Sequence, residues 1–366
     1  MTAKPPGTAE TTRPMTATRT GAKETTRPMT ATRTGAKGGI GGLWVSAHLF
    51  HFGDLDALIT GVVAPLVREA TADGTVSRHF FLRYWEGGQH VRLRLWVPDS
   101  SRAAHVRDQV RDRAAAHFAA HPSPPVDLEA YRAFAATVAR GERRERYDER
   151  LHRTDAVEFI AYRPEHAAYG DAACVAAAER HFTVSSALAL DVLDAGVGME
   201  RRAAIGLAAL TIALAACEPD LPAAARRFAA AAQEAGARPE ILGAEDDWLG
   251  RRDALLAQTR KLWEPAEPGG GLLGTWASSI RALRDELGAL HAAGRCAPAD
   301  SGSPHAFLAV AAPPERRTVP LILLRCAHLL HNRLGLRAGT EHQVSFLVAR
   351  TMTALAGLTD SRRWSP

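Results

Sequence analysis

The sequence predicts an α+β fold, with a mostly antiparallel sheet from the N-terminal half packed against a helical layer from the C-terminal half. Two observations carry this. Residues 79 to 97, HFFLRYWEGGQHVRLRLWV, alternate with period two on both sides of a glycine-containing turn. From Asp171 onward, Ala-rich stretches place apolar residues at three- and four-residue spacing, with Pro or Gly between them.

The elements follow in order. Leu43 opens the fold, and LWVSAHLFHF reads as a first strand carrying Trp44, Ala47, Leu49 and Phe50. Asp54 caps a helix, because Leu55, Leu58, Ile59, Val62 and Val63 then recur at helical spacing. The hairpin comes next, and Pro98-Asp99-Ser100 starts a helix through His117. After HPSPP at 121 to 125, an Arg- and Glu-dense segment to Leu151 reads as an exposed helix or loop. VEFIAYRP at 157 to 164 reads as a strand ended by proline. Helices are expected over 171 to 194, 199 to 216, 222 to 235, 245 to 263, 272 to 292, 315 to 336 and 340 to 356. Gly335 reads as a C-cap and Thr340 as an N-cap.

The net charge of +5 lies in one place. Residues 1 to 37 hold seven Lys/Arg against two Glu, so 38 of the 45 basic residues face 38 of the 40 acidic ones in the remainder. A neutral folded part argues against a nucleic-acid partner for it. The same tail contains ETTRPMTATRTGAK twice, at 10 to 23 and 24 to 37. With almost no bulky apolar residues, residues 1 to 42 are expected to be disordered, leaving 43 to 366 as a single catalytic domain. Four scattered cysteines without CxxC spacing suggest neither a zinc site nor a disulfide framework, and they fit a reduced, cytoplasmic protein. No apolar run is long enough for a membrane span, and no secretory signal is present.

Three segments can carry chemistry. In the hairpin, Glu86-Gly87-Gly88-Gln89 permits a tight turn that is expected to bring Arg83 near Arg92 and Arg94. Clustered guanidiniums repel, so they suit an anionic or carbonyl-rich ligand; the alternative is a solvated hairpin face. In AHLLHNRLG, His328, His331 and Asn332 lie near one helix face, and a histidine is the natural proton shuttle near neutral pH. A packed core histidine, a helix cap and a metal site compete, and the metal lacks a third ligand in helical register. In YRPEHAAYG, Glu165 and Tyr169 are four apart at a strand end, where Glu165 also suits a helix first turn. No Walker loop, GxGxxG, HExxH or GxSxG occurs.

Taken in order, FFLRYWEGGQHVRLRLWV, YRPEHAAYG, AAERHFTVSSALAL and AHLLHNRLG, followed by Glu341 and Arg350, resemble the C-terminal elimination domain of lantibiotic dehydratases. That family includes the stand-alone thiopeptide biosynthesis proteins that build a pyridine. The resemblance runs from about Leu43 to the end and implies an enzyme of ribosomal-peptide maturation, with no room for a separate glutamylation domain. It maps the family's HLRLR-type arginines to Arg92 and Arg94, and its HMxxNRL-type histidine to His328 rather than His331. The RYGG-type segment reads Ala168-Tyr169-Gly170-Asp171, so the arginine expected to hold a glutamyl carboxylate is Ala168. This departure points away from glutamate elimination and toward the pyridine synthases, which join two dehydroalanines in a formal aza-[4+2] cycloaddition without a metal or redox cofactor. The implied roles are carbonyl polarisation by Arg92, Arg94 and Tyr169, proton transfer by His328 with Glu165 and Tyr84 as lesser partners, and substrate binding by Arg83, Tyr84, Trp85, His90, Asn332 and Arg333. The implied partners are a modified precursor peptide and other enzymes acting on it. A homodimer through an edge strand or exposed Trp residues, a glutamate-eliminating lyase, and a non-catalytic leader-binding protein remain open.

Overall fold

A computed structural model describes residues 41–361 except 142–145, 149, 235–243, 265–270 and 301. The expectations for residues 1 to 40 lie outside the described residues. The α+β prediction holds. Four antiparallel strands, β1 (Leu43–Phe50), β2 (Arg78–Tyr84), β3 (His90–Val97) and β4 (Ala156–Phe159), form one sheet in the order β2-β3-β1-β4.

Register decides which residues share a face. Ala47 pairs with Leu93 and Leu49 with Val91, while Phe81 pairs with Leu93. These side chains are fully buried and pack under helices of the core. Each large apolar side chain so buried contributes roughly 1.5–3 kcal/mol. The opposite face carries Trp44, Ser46 and His48 from β1, and Arg92, Arg94 and Trp96 opposite them on β3. Gly87 and Gly88 turn the hairpin at φ 77° and 117°, a region that residues with a Cβ avoid.

Asp54 caps α1 (Leu55–Leu58) by accepting from the Asp56 amide at 2.8 Å. The helix continues through a π turn, Ile59–Val63, into α2 (Ala64–Ala72). Pro65 has no N–H to give, and the widened turn ahead of it accommodates that loss. The next helices are α3 (Ala103–Ala120) and α4 (Leu128–Gly141), followed by the one-turn α5 (His166–Tyr169). The helical layer comprises α6 (Ala172–Asp194), α7 (Met199–Cys217), α8 (Leu221–Glu234), α9 (Ala244–Trp263), α10 (Leu272–Ala292), α11 (Thr318–Arg333) and α12 (Ala338–Ser361). At its centre α7 is buried along most of its length, with Leu207, Leu210, Ile212 and Leu214 in the core.

Three expectations need correction. β4 ends at Phe159 rather than at Pro164, because its pairing with β1 stops at Ala47. Thr340 is no N-cap, since α12 already begins at Ala338. Among the described residues no Trp is exposed: Trp85, Trp248, Trp263 and Trp276 are buried, and Trp44 and Trp96 are half-buried. Gly335 does terminate α11 at φ 75°, with the Leu336 amide donating to the His331 carbonyl at 3.0 Å. No single helix among the described residues is long and apolar enough to cross a membrane; α7 and α8 pass that test only as a pair bent by 99°.

Candidate active site on the sheet face and helix α11

Arg92 and Arg94 project from alternate positions of β3 onto the face that also holds His48. Arg94 is buried and donates to the His48 Nε2 at 3.0 Å. Among the described residues no carboxylate lies within ion-pair distance of it. Burial, then the neighbouring Arg92 charge, pulls the Arg94 guanidinium down to about 10. Arg92 lies over the Tyr84 ring, 3.2 Å from its centre, and donates to the His90 Nε2 at 3.2 Å. Burial and the two arginines hold the imidazoles neutral: His48 falls to about 2 and His90 to about 3.

From Arg94 the site runs toward α11. The Tyr162 ring stands 5.6 Å from the Arg94 guanidinium, and Tyr162 donates its hydroxyl to Glu179 at 2.9 Å. Burial first, then the Glu179 charge, raises the Tyr162 phenol above its ordinary range. Glu165 precedes α5 and adds negative charge felt at Arg94. It also reaches Arg325 of α11 at 3.5 Å, and Asp300 lies 3.7 Å from the same guanidinium. Arg325 sits one turn before His328 and shares its helix face.

His328 and His331 differ in access. The His328 side chain is 30% exposed, whereas that of His331 is fully buried. His328 Nδ1 lies 2.8 Å from Glu341 Oε1 of α12. A carboxylate only accepts, so Nδ1 carries the proton and Nε2 is left for a substrate. Burial works to raise the Glu341 carboxyl, but the imidazoles of His305, His328 and His331 around it outweigh this and hold the group below the carboxylate range.

Other expected site residues fall elsewhere. Arg83 does not join Arg92 and Arg94: its partner in the register is Val91, so it projects from the opposite face. There it binds Asp56 Oδ1 at 2.5 Å, while Arg202 binds Asp56 Oδ2 at 2.6 Å. Asn332 spends its amide on the edge of β2, accepting from the Arg83 N–H and donating to the Arg83 carbonyl, both at 2.9 Å. Arg333 is fully buried and donates to the Phe81 carbonyl and Ser185 Oγ at 3.0 Å each. Trp85 packs with Tyr131 and Ala135 in a small separate cluster. Tyr169 is 2% exposed, lying in the core beneath Arg325, whose guanidinium is 5.7 Å from the ring. Tyr162, not Tyr169, is the tyrosine beside Arg94.

Sequence reasoning passed over Arg325, Tyr162, His48, His305 and Glu341 as site groups. Arg325 was accessible, since it precedes His328 by three on an amphipathic helix. His305 carries no local signal, because only folding brings it to α11. A cavity of about 680 Å³ opens between α6 and α10, lined in part by Arg180, His181, Ser278 and Ser279; none of the residues above lines it.

A cationic sheet face flanked by an anchored histidine on a helix has the donors to give hydrogen bonds to carbonyl oxygens. The chain belongs to the family described as lantibiotic biosynthesis dehydratase C-term, which matches residues 44–352. Its fold is similar to "Pyridine synthase, TbtD, from thiomuracin biosynthesis", with a TM-score of 0.65 and 19% identity over 86% of this chain and 99% of that one. The structure of TsrL matches with a TM-score of 0.58 and 20% identity, covering 86% of this chain and 98% of that one. The tRNA-dependent lantibiotic dehydratase MibB from Microbispora sp. 107891 matches with a TM-score of 0.52 and 20% identity, over 91% of this chain but 29% of that one. No curated protein matches the sequence.

Proposed function

We propose that the protein is a thiopeptide pyridine synthase, which closes a macrocycle by a formal aza-[4+2] cycloaddition of two dehydroalanines in a modified precursor peptide. The carrying observation is Arg94, buried on a sheet face without a carboxylate within ion-pair distance among the described residues. Such a group is stabilised by carbonyl oxygens aimed at it.

In this reading a backbone amide of the substrate tautomerises, its proton moving from nitrogen to oxygen, and the resulting 2-azadiene, C=C–N=C(OH), forms two C–C bonds with the second alkene, one at each of its terminal carbons. Water and then the leader-peptide carboxamide leave, giving the pyridine with no external oxidant. Arg92 and Arg94 donate to the reacting carbonyl, and holding the two alkenes together supplies the effective molarity of an intramolecular reaction. His328, anchored through Nδ1, exchanges the proton at Nε2. Glutamate elimination is the less favoured reading for two reasons. Position 168 is a buried alanine rather than an arginine, and Arg325, the nearby guanidinium, is already answered by Glu165 and Asp300.

The test is incubation of the purified protein with a thiazole-bearing bis-dehydroalanine peptide, followed by mass spectrometry. A macrocycle with loss of water and release of a leader carboxamide is expected. Conversion of a glutamyl-Ser peptide to dehydroalanine instead assigns the lyase reading. Tight leader binding without turnover, unchanged in His328→Ala, assigns a non-catalytic peptide-binding role.

A further inference from the structure

Behind the proposed reaction site lies a buried cluster that meets it through Glu341, the anchor of His328. His305, at the start of the 3-10 helix Ala306–Ala311, His331 of α11 and Glu341 of α12 converge in the interior. His305 Nε2, His331 Nδ1 and Glu341 Oε1 are 3.1 Å apart on all three sides. Their outer contacts fix which atoms carry protons. His331 Nε2 lies 3.0 Å from the Gly206 carbonyl, which only accepts, so the neutral ring's proton is on Nε2 and Nδ1 is a bare lone pair. Where Ser345 donates its one hydroxyl proton to the Glu341 carbonyl at 3.0 Å, it accepts from His305 Nδ1 at 2.9 Å and leaves His305 Nε2 bare. Three lone pairs then face one another where water cannot reach.

That arrangement is repulsive unless a cation sits at the centre. A single shared proton lies along one line; it shortens one contact and leaves the other two unanswered. Three equal sides instead define a position about 2.0–2.1 Å from every corner, roughly 1 Å off their plane, which matches zinc–imidazole and zinc–carboxylate distances. The outer N–H bonds to a carbonyl and a hydroxyl are the contacts that orient histidine ligands. Gly206 makes one of them possible: a Cβ there would meet His331 Nε2 at 3.0 Å and Leu336 Cδ1 at 2.9 Å.

We propose that His305, His331 and Glu341 bind one divalent transition-metal ion, zinc by their donor set, as a structural staple joining the 305–311 segment, α11 and α12. The ion also fixes Glu341, the hydrogen-bond partner of His328, and it stands whichever reaction the site performs.

The test uses untagged full-length protein. Elemental analysis should find about one zinc per chain, and dialysis against a chelator should lower the melting temperature, with restoration by zinc but not magnesium. His305→Gln and Glu341→Gln should lose the metal, whereas the exposed His121→Gln should keep it. If those variants fail to fold, zinc absorption spectra of the wild type decide: nitrogen and oxygen neighbours support the site, and sulfur overturns it by moving the ion to cysteine. The proposal is also overturned if the protein purifies without metal and its melting temperature ignores both chelator and zinc.

Discussion

Arg94 is the residue whose environment is hardest to account for by stability alone. Its burial costs free energy that the hydrogen bonds to the neutral His48 imidazole and the Leu93 carbonyl offset in part, with no carboxylate within ion-pair distance among the described residues. Arg94→Ala is therefore expected to leave folding intact while lowering turnover of the bis-dehydroalanine peptide by about 10²–10³, the scale for removing one well-aimed donor. Arg94→Lys keeps the charge but not the planar fork, and steady-state kinetics should place it near the alanine variant. Asp56 shows the opposite behaviour, an acid with a structural task. Burial would raise its carboxyl, but Arg83 and Arg202 outweigh this and lower it. Because the folded group titrates below the unfolded one, its contribution is present above about pH 4 and is lost as pH falls through the folded value. Asp56→Asn should cost on the order of 3 kcal/mol near neutrality, and its acid-unfolding curve should lose part of the steepness of the wild type. Equal urea midpoints for the two proteins at pH 7 would count against this.

At the scale of elements, the seam between β2 and α11 is held by Asn332 on the backbone of Arg83 and by Arg333 on the Phe81 carbonyl. Asn332 mimics a neighbouring strand by satisfying both the N–H and the carbonyl of Arg83, so this part of the sheet edge is closed by a helix. Asn332→Asp keeps the acceptor but cannot donate to the Arg83 carbonyl, and should destabilise by about 2 kcal/mol. Hydrogen exchange should report it as faster opening at Arg83; unchanged protection there would refute the role. The helical elements were legible because long amphipathic stretches with Pro or Gly between them leave little freedom: α6, α7 and α10 fall within a residue or so of the periodicity. The short elements were not. β4 has four residues, too few to show a period, and α12 starts two residues before Thr340, at the exposed Ala338 and Gly339.

The whole molecule draws its candidate site from three distant stretches: Arg92 and Arg94, then Tyr162 and Glu165, then Arg325 and His328. The charge excess lies apart from all of them, in residues 1 to 37. Removing those residues is expected to leave the melting temperature and the turnover of the domain unchanged while abolishing the net charge of +5, which scanning calorimetry and isoelectric focusing would read. A loss of several degrees on truncation would show that the tail packs on the domain.

The sequence by itself determined the α+β class, the hairpin, the order of the helices and the motif order that marks the family, because periodicity, capping and turn chemistry act over a few residues. It also singled out Arg92, Arg94 and His328 as candidate site residues. Only the tertiary structure decided that Arg83 leaves the cluster, since a side chain's face is set by strand register with a partner. It likewise decided that Tyr162 replaces Tyr169 beside Arg94, and that His305 and Glu341 come within 3.1 Å of His331. Those outcomes depend on long-range packing that brings residues far apart in the chain within a few ångströms.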